Sequence, residues 1–310
     1  MLKQISLKKI ALSSTALFAI LLIYLMPSSI PKLDVEEELE YVGKEVEESK
    51  VFLLDKNSYV ALTEAPTSEK SIEKRALELI KILTVGGMDS KVPSGFSAII
   101  PPDTEVLSLS YDHDVLKVDF SKDILDIDKD LEEKMIEAIV YTLTSIDKVD
   151  KIIIYVEGDI LTKLPKTKIN LPSTLDRSFG INKEFDLTST KDITDVTIYY
   201  INQINENYYY VPVTKYLNDN RNKIDIIVEE LSVGFNPNKK LMSFLSDDVK
   251  LVSSNIDGRT MKLEFKDETY DMTDELKRNI DKTVTLSVCD NYDIDDVYLN
   301  TSKQECKKAK

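Results

Sequence analysis

The chain has 310 residues, room for about two domains of ordinary size. At 42% hydrophobic and 31% charged it has the composition of a globular protein rather than a disordered one. Its net charge of −15 argues against nucleic acid, which needs a basic surface to release counterions, and against broad adhesion to anionic lipid or wall polymer.

In chain order the first feature is an apolar run, residues 10–26, interrupted only by Ser13, Ser14 and Thr15. As a helix it would span about 25 Å, a little short of a ~30 Å hydrocarbon core. The stems of Lys8 and Lys9 can snorkel to make up part of the difference. Lys3, Lys8 and Lys9 precede the run, and Asp34, Glu36, Glu37, Glu38 and Glu40 follow it. By the positive-inside rule residues 1–31 are a cytoplasmic tip and a single transmembrane anchor, and everything after Pro27 lies outside. A cleaved signal peptide is the competing reading. It is disfavoured because no Ala-x-Ala-like site follows and Leu25-Met26-Pro27 is a poor cleavage context. No cysteine follows the run to carry a lipid. Residues 32–48 read as an acidic stalk.

Residues 49–158 read as one α+β domain: strands at 50–55 and 58–64, a helix at 68–84, a hairpin over 104–120, a helix at 128–144 and a strand at 151–156. Ser68, Ser71, Glu69 and Glu73 give the first helix a capped start, and Gly86-Gly87 a stop. Ser71-Ile72-Glu73-Lys74 also matches the Ser-x-x-Lys of penicillin-interacting enzymes, but its Ser-Asp-Asn and Lys-Thr-Gly partners are missing. The hairpin turns through Tyr111-Asp112-His113-Asp114, and His113 is the only histidine, so no Ser-His-Asp or zinc-hydrolase set can be assembled around a second one. Asp126, Asp128, Asp130 and Glu137 occupy positions 1, 3, 5 and 12 of an EF-hand loop. The glycine position holds Leu131, which the helix stripe claims. The aspartates are therefore expected to be helix-start acids rather than calcium ligands.

Residues 159–192, with Pro165 and Pro172, form a polar connector that is either flexible or packed as an irregular strap. Residues 193–303 then repeat the first domain. An offset of 145 carries Leu116, Val118 and Phe120 onto Met261, Leu263 and Phe265, in alternation with charged residues. It also carries Leu131, Met135, Ile139 and Leu143 onto Leu276, Ile280, Val284 and Val288, one apolar stripe of a helix. Val51 and Leu53 fall on Val196 and Ile198, and Ile152 and Ile154 on Val297 and Leu299. Between them the offset drifts to 148, matching Ala76, Leu79, Ile80 and Leu83 with Ile224, Ile227, Val228 and Leu231. Asp257-Gly258 marks the second hairpin turn. Tyr208, Tyr209 and Tyr210 form a cluster that suits either a twisted strand or a partner contact. Cys289 and Cys306 allow one disulfide or two unpaired thiols, the second being the plainer reading, and residues 304–310 read as a polar tail.

The stretch Gly95-Phe96-Ser97-Ala98-Ile99-Ile100-Pro101-Pro102-Asp103-Thr104-Glu105-Val106, followed by Val118-Asp119-Phe120-Ser121, resembles the GerM (GerMN) domain. Tyr141-Thr142-Leu143-Thr144, Val149-Asp150-Lys151-Ile152 and Val156-Glu157-Gly158 continue the pattern. The second copy is more divergent: Leu263-Glu264-Phe265 stands for Val-Asp-Phe, and Thr285-Leu286-Ser287 for Thr-Leu-Thr. The resemblance implies a tandem-domain extracytoplasmic protein of sporulation or germination. It implies a fold similar to ring-building motifs and an assembly or scaffold role among envelope or sporulation-channel proteins. The absence of a lipobox cysteine departs from the family pattern. No catalytic, cofactor-binding or metal-binding residue is assigned, and no cofactor or enzymatic activity is expected. The alternatives are an extracytoplasmic ligand-binding or adhesion module, which needs a deep pocket between the domains, and a cell-wall hydrolase, for which no constellation of residues is present.

Overall fold

In the computed structural model, which describes residues 47–234, 240–245, 249–266, 273–300 and 302–306, each copy opens with a long antiparallel hairpin. The first is β1 (Glu47–Asp55) with β2 (Val60–Thr67). The apolar run Val51-Phe52-Leu53 in β1 is buried on both faces. α1 (Ile72–Leu83) begins after Ser71, whose hydroxyl accepts from the Lys74 N–H, and buries Ala76, Leu79, Ile80 and Leu83 as the 3.6-residue stripe requires. It is shorter than the expected 68–84: the Ser68 N–H is taken by the Glu78 carboxylate, and Thr84 is already extended.

β3 (Phe96–Ser97) pairs with the end of β1. β4 (Val106–Asp112) and β5 (Val115–Phe120) form the second hairpin, turning through His113 and Asp114, both with positive φ. α2 (Lys129–Leu143) crosses over to β6 (Lys151–Val156), which lies parallel to β5, and β7 (Asp159–Ile160) pairs with its end. The connector is a packed strap: Leu175 bridges Ile152, and β8 (Glu184–Asp186) runs parallel to the next hairpin.

The second copy repeats this order as β9 (Thr194–Ile204), β10 (Asn207–Leu217), α3 (Lys223–Ser232), β11 (Lys250–Asp257), β12 (Thr260–Lys266), α4 (Asp274–Asn291), β13 (Asp296–Leu299) and β14 (Ser302–Glu305). Its small sheet has the order β11-β12-β13-β14, the counterpart of β4-β5-β6-β7. Even the irregularity is repeated. The β4–β5 register steps from Val106↔Phe120 to Ser108↔Asp119, and the β11–β12 register from Leu251↔Phe265 to Ser253↔Glu264, so Leu107 and Val252 sit at the same β-bulge. Cys289 and Cys306 form a disulfide, correcting the plainer expectation of two thiols, and it ties α4 to the residue after β14. Residues 304–306, read as the start of a tail, belong to this fastened end.

The two copies meet in one six-stranded sheet. β10 pairs with β9 along its length, and on its other side with β2 at Tyr210↔Leu62 and then with β8. The cores interlock as well: Tyr199 and Leu286 pack into the first core, and Ala61 into the second. The anchor and all but the last two residues of the stalk lie outside the described residues. Among those described, no helix is long and apolar enough to cross a membrane.

Candidate functional site at the junction of the copies

The residues singled out by sequence do not converge. Ser71 is the cap of α1, with its Oγ 3.3 Å from the Lys74 N–H, so Ser-x-x-Lys here is helix-start chemistry. His113 is exposed at its turn, with Nδ1 2.5 Å from the Asp112 carboxylate. Asp126, Asp128 and Asp130 are exposed around the start of α2, whereas Glu137 is buried two turns further on and faces the strap. Among the described residues no group of three or more His, Cys, Asp or Glu side chains is placed to hold a metal ion.

The acids of α2 instead hold the strap. Glu132 accepts from the N–H groups of Lys166 and Thr167 and from the Thr167 hydroxyl, at 2.9, 2.6 and 2.6 Å. Glu133 pairs with Lys183 at 2.7 Å, and Glu137 accepts from the Asn182 N–H at 2.9 Å. Burial pushes the Glu137 carboxyl up to about 7, against the opposing pull of that hydrogen bond and of Lys183.

Asn182 and Arg177 then join the copies. Where β2 leaves β10, the Asn182 amide fills the gap: its Oδ1 accepts from the Val60 N–H, and its Nδ2 donates to the carbonyls of Val60 and Pro212 at 2.8 and 2.7 Å. Pro212 has no N–H to offer a neighbouring strand, so a side-chain donor suits its carbonyl better than another strand would. Gly180 lets the strap enter: its φ is +79°, and a Cβ there would lie 3.0 Å from the Tyr216 hydroxyl. Arg177, on a short 3-10 turn (Arg177–Phe179), is wedged between the Tyr141 ring of the first copy, 4.9 Å away, and the Asp290 carboxylate of the second. It also donates to Thr144 Oγ1, Ser145 Oγ and the Tyr141 carbonyl. Asp290 takes its remaining bond from the Tyr199 hydroxyl at 2.7 Å. Burial works against the Arg177 charge, and the Asp290 carboxylate overrides it, holding the guanidinium above its usual range. Between the copies Tyr141 and Tyr199 are fully buried, and the Arg177 guanidinium lies against the Tyr141 ring.

A second contact lies nearby. The Tyr209 hydroxyl donates to Asp55 at 2.7 Å, and Tyr210 donates to Asn279 at 2.9 Å. Two of the three clustered tyrosines are thus bonded within the chain, on the strand β10. Tyr208 packs edge-on against Phe244. Sequence reasoning missed Arg177 and Asn182, and the one local signal was Gly180 between them.

Residues 50–162 match the family model described as "Germane: Sporulation and spore germination". The chain is 33% identical over 248 residues to the spore germination protein GerM of Bacillus subtilis (strain 168). That match covers 77% of this chain and 66% of the relative, slightly under two thirds of its length. Among solved structures, the tandem GerMN domains of the sporulation protein GerM from Bacillus subtilis align with a TM-score of 0.73 at 29% identity, covering 82% of this chain and 90% of that one.

Proposed function

The chain belongs to the GerMN-domain family, and on that premise we propose that it is a non-enzymatic, extracytoplasmic assembly protein of sporulation or germination, held at a membrane. The observation that carries this reading is the junction. The Arg177–Asp290 pair, the Tyr199 hydroxyl and the Asn182 amide are engaged in joining the two copies, and the other residues with catalytic patterns are helix caps, turns and strap anchors. A fold that commits its buried polar groups internally offers partners its outer surface. The Cys289–Cys306 disulfide supports an oxidising compartment, in line with the Lys-flanked apolar run and the acidic segment after it.

Protease added to intact protoplasts tests the topology, and deletion of the gene tests the process. The expected result is digestion of residues 47–306 together with a loss of heat-resistant or germination-competent spores. Full protection of those residues, or unimpaired spores, contradicts the proposal.

A further inference from the structure

α2 and α4 occupy the same place in the two copies, and their flanks carry opposite charge. The offset of 145 that aligns their apolar stripes carries Glu132, Glu133 and Glu137 onto Lys277, Arg278 and Lys282. On α2 the three carboxylates hold an extended segment of the chain. Glu132 takes the N–H groups of Lys166 and Thr167, and the Lys183 ammonium lies 2.7 Å from Glu133 and 3.9 Å from Glu137. One cation thus answers two acids a turn apart. Beneath that strap Glu132 and Glu137 are buried, whereas Lys277, Arg278 and Lys282 on α4 are exposed. Their charged ends make no hydrogen bond or ion pair among the described residues. Asp281, one turn from Lys277, feels its charge at longer range, and Asp274 and Glu275 stand in the first turn, where they complement the helix dipole. The first copy adds charge of the same sign as the bases. Burial first, then Arg177 and in smaller part Lys282, lower the Lys50 ammonium of β1 to about 8, against the pull of Asp290 and Glu64.

α4 therefore presents the charge-reversed counterpart of a flank that, in the first copy, binds an extended peptide. We infer that this flank of α4 docks an extended acidic segment of a partner protein. One carboxylate of that segment lies between Arg278 and Lys282, as Lys183 lies between Glu133 and Glu137, and a second lies on Lys277. The strap favours a peptide over a lipid headgroup as the occupant, because it meets α2 with backbone N–H groups as well as with side chains. The net charge of −15 repels an acidic partner from most of the surface, so the same three bases also set where it lands. The inference rests on the assembly reading and gives it a surface and a partner chemistry.

The test titrates a fluorescein-labelled peptide, Gly-Glu-Ser-Glu-Glu-Gly-amide, with the full chain in non-ionic detergent at low salt, and follows the anisotropy. The expected result is saturable binding that weakens with salt and is roughly tenfold weaker for Arg278→Glu with Lys282→Glu. Both side chains are exposed, so this variant should keep the parent's melting temperature. It should also gain binding of the peptide with lysine in place of glutamate, which a loss of folding would not give. No saturable binding, equal binding of the peptide with glutamine in place of glutamate, or a variant that binds like the parent overturns the inference. Uptake of lysophosphatidylglycerol from the detergent through Arg278 and Lys282, with no binding of the peptide, makes a lipid surface the occupant and also overturns it. In sporulating cells a photo-crosslinking residue is placed at the exposed position 275, three and seven residues before Arg278 and Lys282, or on the first copy at the exposed Ile160. A crosslink from 275 to an acidic segment of another protein is expected, and one to residues 32–46 of this chain contradicts the inference. Crosslinks from 160 alone remove this flank and leave the assembly reading. Crosslinks from neither position count against both.

Discussion

Arg177 and Asp290 share a site from which water is largely excluded, so each charge depends on the other. Removing one partner of such a pair leaves a buried charge unanswered, at a cost of about 3–5 kcal/mol. Arg177→Ala should lower urea stability by that amount. Arg177→Met with Asp290→Asn should recover much of the loss, because Asn keeps an acceptor for the Tyr199 hydroxyl and leaves no lone charge. Glu137 gives a pH signature. Burial raises its folded carboxyl to about 7 from the ordinary 4.5, so the folded state binds the extra proton. Its contribution is full at low pH and is lost as pH rises from about 4.5 through 7. Glu137→Gln should therefore stabilise the protein at pH 8, by about 1–3 kcal/mol, and change little at pH 4.5. Melting curves at the two pH values check this.

At the scale of elements, α2 and α4 do the same unusual thing in both copies. The Phe52 N–H donates to Thr142 Oγ1 and the Tyr199 N–H to Ser287 Oγ, each at 2.9 Å, so a helix hydroxyl satisfies the outward N–H of the first strand. Thr142→Val and Ser287→Ala should each cost about 1–3 kcal/mol through an orphaned strand N–H, and amide exchange at Phe52 and Tyr199 should report it. This bond also corrects the motif alignment, in which Thr285-Leu286-Ser287 stood for Thr142-Leu143-Thr144. The structural partner of Thr142 is Ser287, in keeping with the offset of the apolar stripe. The stripes and the hairpins were legible because periodicity is local and was repeated. Arg177 and Asn182 were not, because what they do depends on partners brought together by the closed fold, such as Val60 and Asp290, and no periodic pattern marks them. The pairing of Cys289 with Cys306 was likewise left open by two cysteines. That bridge closes a sequence separation of 17 and should contribute about 3 kcal/mol. Dithiothreitol, or Cys289→Ser with Cys306→Ser, should lower the urea midpoint accordingly. Two reactive thiols in the unreduced, unfolded chain would show that the bridge is absent.

For the whole molecule, the duplication matters because the copies do not end at their own cores. They share a sheet across Tyr210 and Leu62, exchange Tyr199, Leu286 and Ala61 between cores, and are pinned by the strap. A pair of independent modules would present partners with two surfaces at variable spacing, whereas one body presents them in fixed geometry. That single body is the central claim. The chain has no tryptophan, so Tyr155→Trp in the first copy and Tyr298→Trp in the second, both half-buried, place one reporter in each. Urea unfolding of residues 45–310 should give superimposable transitions from the two reporters, and Arg177→Ala should lower both midpoints together. Two well-separated transitions in the parent, with Arg177→Ala moving neither, would contradict the account.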